Sequence, residues 1–404
     1  RRETCHAAMA RLPLSSSLAR SARHTVARHR GFSSAPASSV PVIDMASYSK
    51  ASAAAAEPPP SALVNEVALA CEQWGFFQVV NHGLDAGLRS RAEDQQRAFF
   101  ALPRHAKEAL RRTAGNSRGW YDDELTKQRR DWKEGLDFGS TPHWPRWLPD
   151  DDDASNGTLD GFNRFPSESL LPEFRPTMRC YFDGLCEVAA RLTSLFSLGL
   201  GMPASHFEPA LAAHTSYLRL NYYAPYTGAD ATQLCISPHK DAGFLTVLAQ
   251  DETCHSLQVR GRQRPDEWIT VRPEPDALTI NTGDMAQIYS NNRYHAPEHR
   301  VITNPNKPRY SAPFFYNPSY AAAVAPLPSL GTAEYDELVW GYFRAQRFAG
   351  DFADYGTEIQ ISDFAKGSGS WHVSNQARFL AATDFRRPFS VEANRPLLSN
   401  PTSV

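Results

Sequence analysis

The stretch Ser237-Pro238-His239-Lys240-Asp241-Ala242-Gly243-Phe244-Leu245-Thr246-Val247-Leu248 decides how this chain is read. Pro238 biases its surroundings away from helix, and the apolar, β-branched run from Phe244, set off by Gly243, reads as a strand. Residues i and i+2 project from one side of a strand but roughly 200° apart on a helix, so only extended backbone lets His239 and Asp241 reach a common ion. A second histidine-x-acid pair, His206-Phe207-Glu208, follows Met202-Pro203 and a helix N-cap candidate, Ser205. A first helical turn there makes the two side chains diverge, which leaves His239 and Asp241 as the candidate pair.

Outward from this stretch, short segments of strand character follow one another, each bounded by Gly, Pro, Asn or Asp: residues 217–223, 244–249, 257–259, 268–271, 277–280, 285–289, 299–302 and 310–316. Eight strands without intervening helices predict a closed double-sheet jelly roll rather than a parallel sheet. Helical spacing lies before them. Leu63, Val67, Ala70, Cys71 and Trp74 form one stripe ended by Gly75, residues 84–102 form a second helix stopped by Pro103, and Met178, Phe182, Leu185, Ala189, Leu192 and Phe196 step by three and four in the clearest helix of the chain. Residues 40–44 and 76–80 read as strands, and helix returns after Pro318, notably over 334–347. The fold class is therefore α+β with a mainly β core: a helical N-terminal α/β region over 40–200, a jelly-roll domain over 201–330, and a C-terminal helix and tail over 331–404.

Two histidines compete for a third ligand position in Asn291-Asn292-Arg293-Tyr294-His295-Ala296-Pro297-Glu298-His299-Arg300-Val301. Their i, i+4 spacing suits a helical zinc pair, but Pro297 lies between them and Val301-Ile302-Thr303 continues as strand. His299 leads into that strand and is assigned as the ligand; His295 is assigned to the pocket rim. Two imidazoles and one carboxylate leave half of an octahedral metal open, the set that suits a non-haem ferrous iron activating dioxygen. Ten residues beyond His299, Arg309-Tyr310-Ser311 presents a guanidinium and a hydroxyl on one strand face, a fork of donors suited to a carboxylate.

The 404 residues carry a formal charge of only -2, so no basic field exists to recruit nucleic acid, and a small-molecule substrate is expected. No apolar run approaches the roughly 18 residues needed to cross a bilayer, so no membrane partner is expected, and the chain reads as a soluble monomer. The six cysteines include no Cys-x-x-Cys pair, which argues against a disulfide framework and a thiolate zinc site. Residues 1–39 are rich in Arg and Ser with a single acid, Glu3, the composition of a mitochondrial transit peptide, with a disordered tail on a cytoplasmic enzyme as the alternative. The acidic run 150–153 lacks the alternation and central glycine of a calcium loop and reads as a solvated insertion, and Asn156-Gly157-Thr158 is a glycosylation sequon by letter only. His82 in Asn81-His82-Gly83 reads as a turn residue capping backbone groups rather than a catalyst, and His143, His214, His255 and His372 are read likewise.

Together with Trp74-Gly75-Phe76-Phe77, Asn81-His82-Gly83, Asn221-Tyr222-Tyr223, Asn281-Thr282-Gly283-Asp284 and Phe315-Tyr316-Asn317-Pro318, these motifs make the chain resemble the isopenicillin N synthase-like family of 2-oxoglutarate- and iron(II)-dependent dioxygenases, from residue 40 to about residue 364. The resemblance implies a distorted double-stranded β-helix preceded by a helical region. It implies Fe(II) on His239, Asp241 and His299, and 2-oxoglutarate with its far carboxylate on Arg309 and Ser311, assisted by Tyr223 and Asn221. It implies O2 as oxidant, hydroxylation or desaturation of a small molecule, and release of succinate and CO2. The sequence departs from the family at His295, where a basic or small residue is more usual, and at Ala224 before Pro225. Two other readings stay open: an oxidase of the same family that takes no 2-oxoglutarate, and a ligand-binding jelly roll without catalysis.

Overall fold

The computed structural model describes residues 39–126, 129–141, 157–352, 358–390 and 392–400. In chain order its main elements are β1 (Val42–Asp44), α1 (Ser61–Gln73), β2 (Phe76–Val80), α2 (Ala86–Phe100), β3 (Gly119–Tyr121), β4 (Glu134–Gly139), α3 (Phe174–Gly199), β5 (Tyr217–Tyr223) and β6 (Leu234–His239). They continue with β7 (Leu245–Gln250), β8 (Leu257–Gly261), β9 (Arg264–Thr270), β10 (Leu278–Thr282), α4 (Asp284–Tyr289), β11 (His299–Ile302), β12 (Arg309–Tyr316), α5 (Trp340–Phe352) and α6 (Trp371–Ala382).

The helical stripes bury as their spacing dictates. Leu63, Val67, Ala70 and Cys71 of α1 are buried, and so are all six stripe residues of α3. The α3 stripe supports the sheet beneath it, where Phe182 meets Phe314 edge to face at 5.0 Å. Asp85 caps α2 by accepting from the Leu88 N–H at 2.6 Å. Gly75, at φ 63°, turns the chain from α1 straight into β2; a Cβ there would lie 1.9 Å from the His295 carbonyl oxygen, so conformation and space both demand glycine.

The strands form two sheets. One has eight strands in the order β1-β2-β10-β7-β12-β5-β4-β3, and the other four in the order β9-β8-β11-β6. Only β1 and β2 run parallel among the pairs of these sheets. Strands from before residue 200 thus share one sheet with the jelly-roll strands. The helices cover one face of that sheet, and the second hydrophobic cluster, including Trp74, Phe76, Tyr223, Leu248, Leu257, Val259 and Val301, is drawn from both sheets.

Several expectations need correction. Residues 285–289 form helix α4, not a strand: Met285, Ala286, Ile288 and Tyr289 are all buried, and a short continuous apolar run carries no periodicity that separates the two states. Strand β6 is not among the expected strands, although extended backbone was expected at His239; its Pro238, which has no N–H for a ladder, is tolerated because β6 is an edge strand. Helix α5 begins at Trp340 rather than 334, since Leu338–Val339 pairs with Ala323–Val324. The helix beyond Ser205 starts at Glu208 with Phe207 at its N-cap. The charged stretch after Gly119 supplies β3 and β4. His143, the acidic run 150–153, Asn156 and residues 1–38 lie outside the described residues. Among the described residues no helix is long and apolar enough to cross a membrane.

Candidate metal centre and co-substrate pocket

Strand register builds the site. His239 closes β6 and His299 opens β11, and the two are direct cross-strand partners, with ring centroids 4.2 Å apart. Asp241 follows two residues after His239, and its Oδ1 lies 3.8 Å from His239 Nε2 and 3.6 Å from His299 Nε2. One ligand atom from each residue falls within 4.8 Å of the others, and among the described residues this is the only group of three such side chains. His206, Glu208 and His295 are not part of it.

The partners of these side chains aim their ligand atoms. His239 Nδ1 lies 2.8 Å from the Ser237 carbonyl and His299 Nδ1 3.2 Å from that of Pro297. A carbonyl only accepts, so each Nδ1 carries the hydrogen and each Nε2 lone pair faces inward. Burial, and then the neighbouring His299, push His239 down to about 3, which keeps it a neutral donor. Burial raises Asp241, but the two imidazoles, Asn281 and Thr246 outweigh it and hold the carboxyl below its ordinary range. Asp241 Oδ2 accepts from Thr246 Oγ1 at 2.5 Å and from Asn281 Nδ2 at 2.7 Å, so Oδ1 is left to face the histidines. Thr246 was not singled out in the sequence, and Asn281 was quoted in the motif Asn281-Thr282-Gly283-Asp284 without a role; the available signal was a polar residue at an inward, period-two position of an otherwise apolar strand.

The second predicted group is also set by register. Arg309 pairs with Tyr223 and Ser311 with Asn221 across β12 and β5, and all four are buried. Tyr223 Oη and Asn221 Nδ2 each lie 3.3 Å from Ser311 Oγ, and the Arg309 guanidinium sits 4.9 Å above the Tyr223 ring. Arg309 Nη2 donates to Gln250 Oε1 at 3.3 Å, while its Nε and Nη1 have no partner. Triad, Arg309, Ser311, Tyr223 and Asn221 line one cavity of about 150 Å³.

Its wall also contains charges that the sequence reading did not single out. Arg219 donates to Asp137 and Glu124, and Lys133 pairs with Glu124 at 2.5 Å and Asp131 at 3.0 Å. The Arg219, Lys133 and Arg112 charges overcome the effect of burial and hold Glu124 well below the usual carboxylate range. His295, expected at the rim, is not among the lining residues; its carbonyl accepts from Thr282 Oγ1. His82 does cap backbone, lying 2.9 Å from the Asp276 carbonyl and accepting from Leu84 N–H at 3.2 Å. His372 sits in the first turn of α6, not in a loop, 2.8 Å from Tyr342 Oη.

Comparison with known proteins agrees with this geometry. Residues 214–318 match the 2OG-Fe(II) oxygenase superfamily, and residues 40–168 match the family described as non-haem dioxygenase in morphine synthesis, N-terminal. Jasmonate-induced oxygenase 2 of Arabidopsis thaliana is 35% identical over 273 residues, 66% of this chain and 68% of that protein. Oxoglutarate-dependent flavonoid 7-O-demethylase 1 of Ocimum basilicum is 30% identical over 324 residues, 79% of each. A crystal structure of JOX2 in complex with 2OG, Fe and JA has a TM-score of 0.63 at 29% identity, covering 84% of this chain and 90% of that one. On these matches the chain belongs to the 2-oxoglutarate- and iron(II)-dependent dioxygenases of the isopenicillin N synthase-like family, oxidoreductases that use Fe(II), 2-oxoglutarate and O2.

Proposed function

We propose that His239, Asp241 and His299 hold the ferrous iron, and that Arg309, Ser311, Tyr223 and Asn221 hold the far carboxylate of 2-oxoglutarate, in an enzyme that hydroxylates or desaturates a small molecule. The observation that carries this reading is Arg309: a buried guanidinium with two unpartnered nitrogens, in the cavity that also contains the triad. A buried, unpaired charge is strongly unfavourable, and a carboxylate satisfies two donors of a guanidinium at once. The donor set fits ferrous iron, because two neutral imidazoles and one carboxylate oxygen suit that ion and leave positions for a chelating co-substrate.

When bound, iron and 2-oxoglutarate supply the activation of dioxygen, with succinate and CO2 released. The chain's own residues hold and shield. The two backbone carbonyls keep both Nδ1 hydrogens in place, Thr246 and Asn281 fix the carboxylate, and Phe76, Leu248, Leu257 and Val301 present an apolar floor that excludes water. Lys133, Glu124 and Arg219, locked to one another, offer a rigid polar wall against which a substrate is oriented.

Anaerobic titration with Fe(II) and 2-oxoglutarate, followed by oxygenation and a screen of small molecules scored by succinate, tests this reading. Succinate release is expected to require both additions and to disappear in His239→Ala and Asp241→Ala; normal turnover in either variant sinks the assignment. Substrate turnover without 2-oxoglutarate would point instead to an oxidase whose Arg309 and Ser311 hold the substrate's carboxylate. The arginine-rich, acid-poor residues 1–39 further support a mitochondrial address, which import of fluorescent fusions with and without that segment tests.

A further inference from the structure

The loop that carries Asp241 is held from two sides. On one, the N–H groups of Asp284 and Met285, at the start of α4, donate to the carbonyls of Asp241 at 2.8 Å and Gly243 at 3.0 Å. On the other stands Arg347 of α5, 7% exposed. Its Nη2 donates at 3.2 Å to the carbonyl of Lys240, the residue between two members of the triad. Its Nη1 donates to the Ile359 carbonyl at 3.1 Å and pairs with Glu358 Oε1 at 2.6 Å. One guanidinium therefore joins helix α5, the segment after it and the loop. Trp340, Arg344 and Arg347 itself line the cavity, as does Glu358, so whatever fills the cavity meets the same group that holds the loop.

We propose that Arg347 is a positioning residue: it fastens the loop that follows His239 and bears Asp241 to the C-terminal part of the chain and thereby sets the spacing of the ligand atoms. The inference rests on the assignment of His239, Asp241 and His299 as the iron ligands. The task requires arginine, because a planar fork reaches acceptors on two separate segments at once, whereas a lysine ammonium is a single point on a flexible stem. Groups bonded directly to a ligand typically change metal affinity by about 10- to 100-fold when lost, and Arg347 acts one step further out, through the backbone between two ligands.

The test uses the full chain with Fe(II) and 2-oxoglutarate as probes and no primary substrate. In Arg347→Gln, anaerobic titration of the folded protein is expected to show Fe(II) binding weakened by about 10-fold or more, with a displaced visible absorption band of the iron-2-oxoglutarate chelate; the metal-free unfolding temperature is expected to fall as well, because Glu358 loses its partner. Arg347→Lys keeps the charge beside Glu358 but cannot span both carbonyls, so the same weakening is expected, and this variant carries the test if Arg347→Gln does not fold. Parental Fe(II) affinity and an unmoved band in the folded variant overturn the proposal. So does a raised KM for 2-oxoglutarate at unchanged Fe(II) affinity, which would make Arg347 a co-substrate contact. Failure of the underlying assignment looks different: the parent protein takes up no Fe(II), or His239→Ala binds it as the parent does.

Discussion

At the scale of single residues, the site divides into groups that wait for a ligand and groups that aim one. Arg309 belongs to the first. Arg309→Leu is expected to raise the KM for 2-oxoglutarate by on the order of 10- to 100-fold, while the ligand-free protein stays at least as stable as the parent, because a buried guanidinium with two idle nitrogens is removed. Steady-state kinetics with thermal unfolding checks both halves, and a large loss of ligand-free stability would mean that Arg309 is structural. Thr246 belongs to the second group. Thr246→Val removes the 2.5 Å bond to Asp241 Oδ2 and is expected to weaken Fe(II) binding by about 10-fold; anaerobic titration with unchanged affinity would leave Asn281 as the sole orienting donor. The ligands were legible in the sequence because histidine-x-aspartate has one geometric solution after a proline. Thr246 was not, because a threonine in a strand is ordinary until its neighbour is known to be a carboxylate.

At the scale of elements, the decisive information is register. His239 faces His299 and Ser311 faces Asn221 because two antiparallel ladders place them so. Period-two alternation made most of those strands readable, whereas α4 was missed because nearly every one of its side chains is buried and no pattern remains. The turn before α4 also limits the loop it holds. A Cβ on Gly283 would lie 2.2 Å from the Gly243 carbonyl oxygen and 2.9 Å from that of Asp241, although the Gly283 backbone conformation suits any residue. Gly283→Ala is therefore expected to act by displacement alone, lowering Fe(II) affinity together with a stability loss of about 1 to 3 kcal/mol by denaturant unfolding. Parental values for both would show that the turn yields without moving the loop.

At the scale of the whole molecule, charge and acid response come from residues far apart in the chain. Glu124, Lys133 and Arg219 meet across 95 positions between the first and last, and no local pattern announces such a cluster, so the sequence alone does not reveal it. Buried histidines set the response to acid. Burial pushes His214 down to about 4, and burial with nearby Lys240 and Arg262 pushes His295 down to about 4, from an ordinary 6.5. Between those values the unfolded chain binds more protons than the folded one, so this stability is present above 6.5 and declines as pH falls toward 4. Burial raises Asp284 to about 6, which works in the opposite direction between its ordinary 3.8 and that value. With more rings than carboxyls involved, urea unfolding of metal-free protein is expected to require less denaturant at pH 4.5 than at pH 7, with a shallower decline in His214→Gln; a flat profile in the parent would refute the assignment of neutral buried rings. The facing pair His239 and His299 has a last consequence. A slip of one residue between their strands would turn one imidazole outward, so only correctly zipped molecules can retain the cation, and mass action then favours them over misaligned ones. Metal supply would in that way govern how long newly made chains survive proteases, quite apart from how fast they turn over substrate.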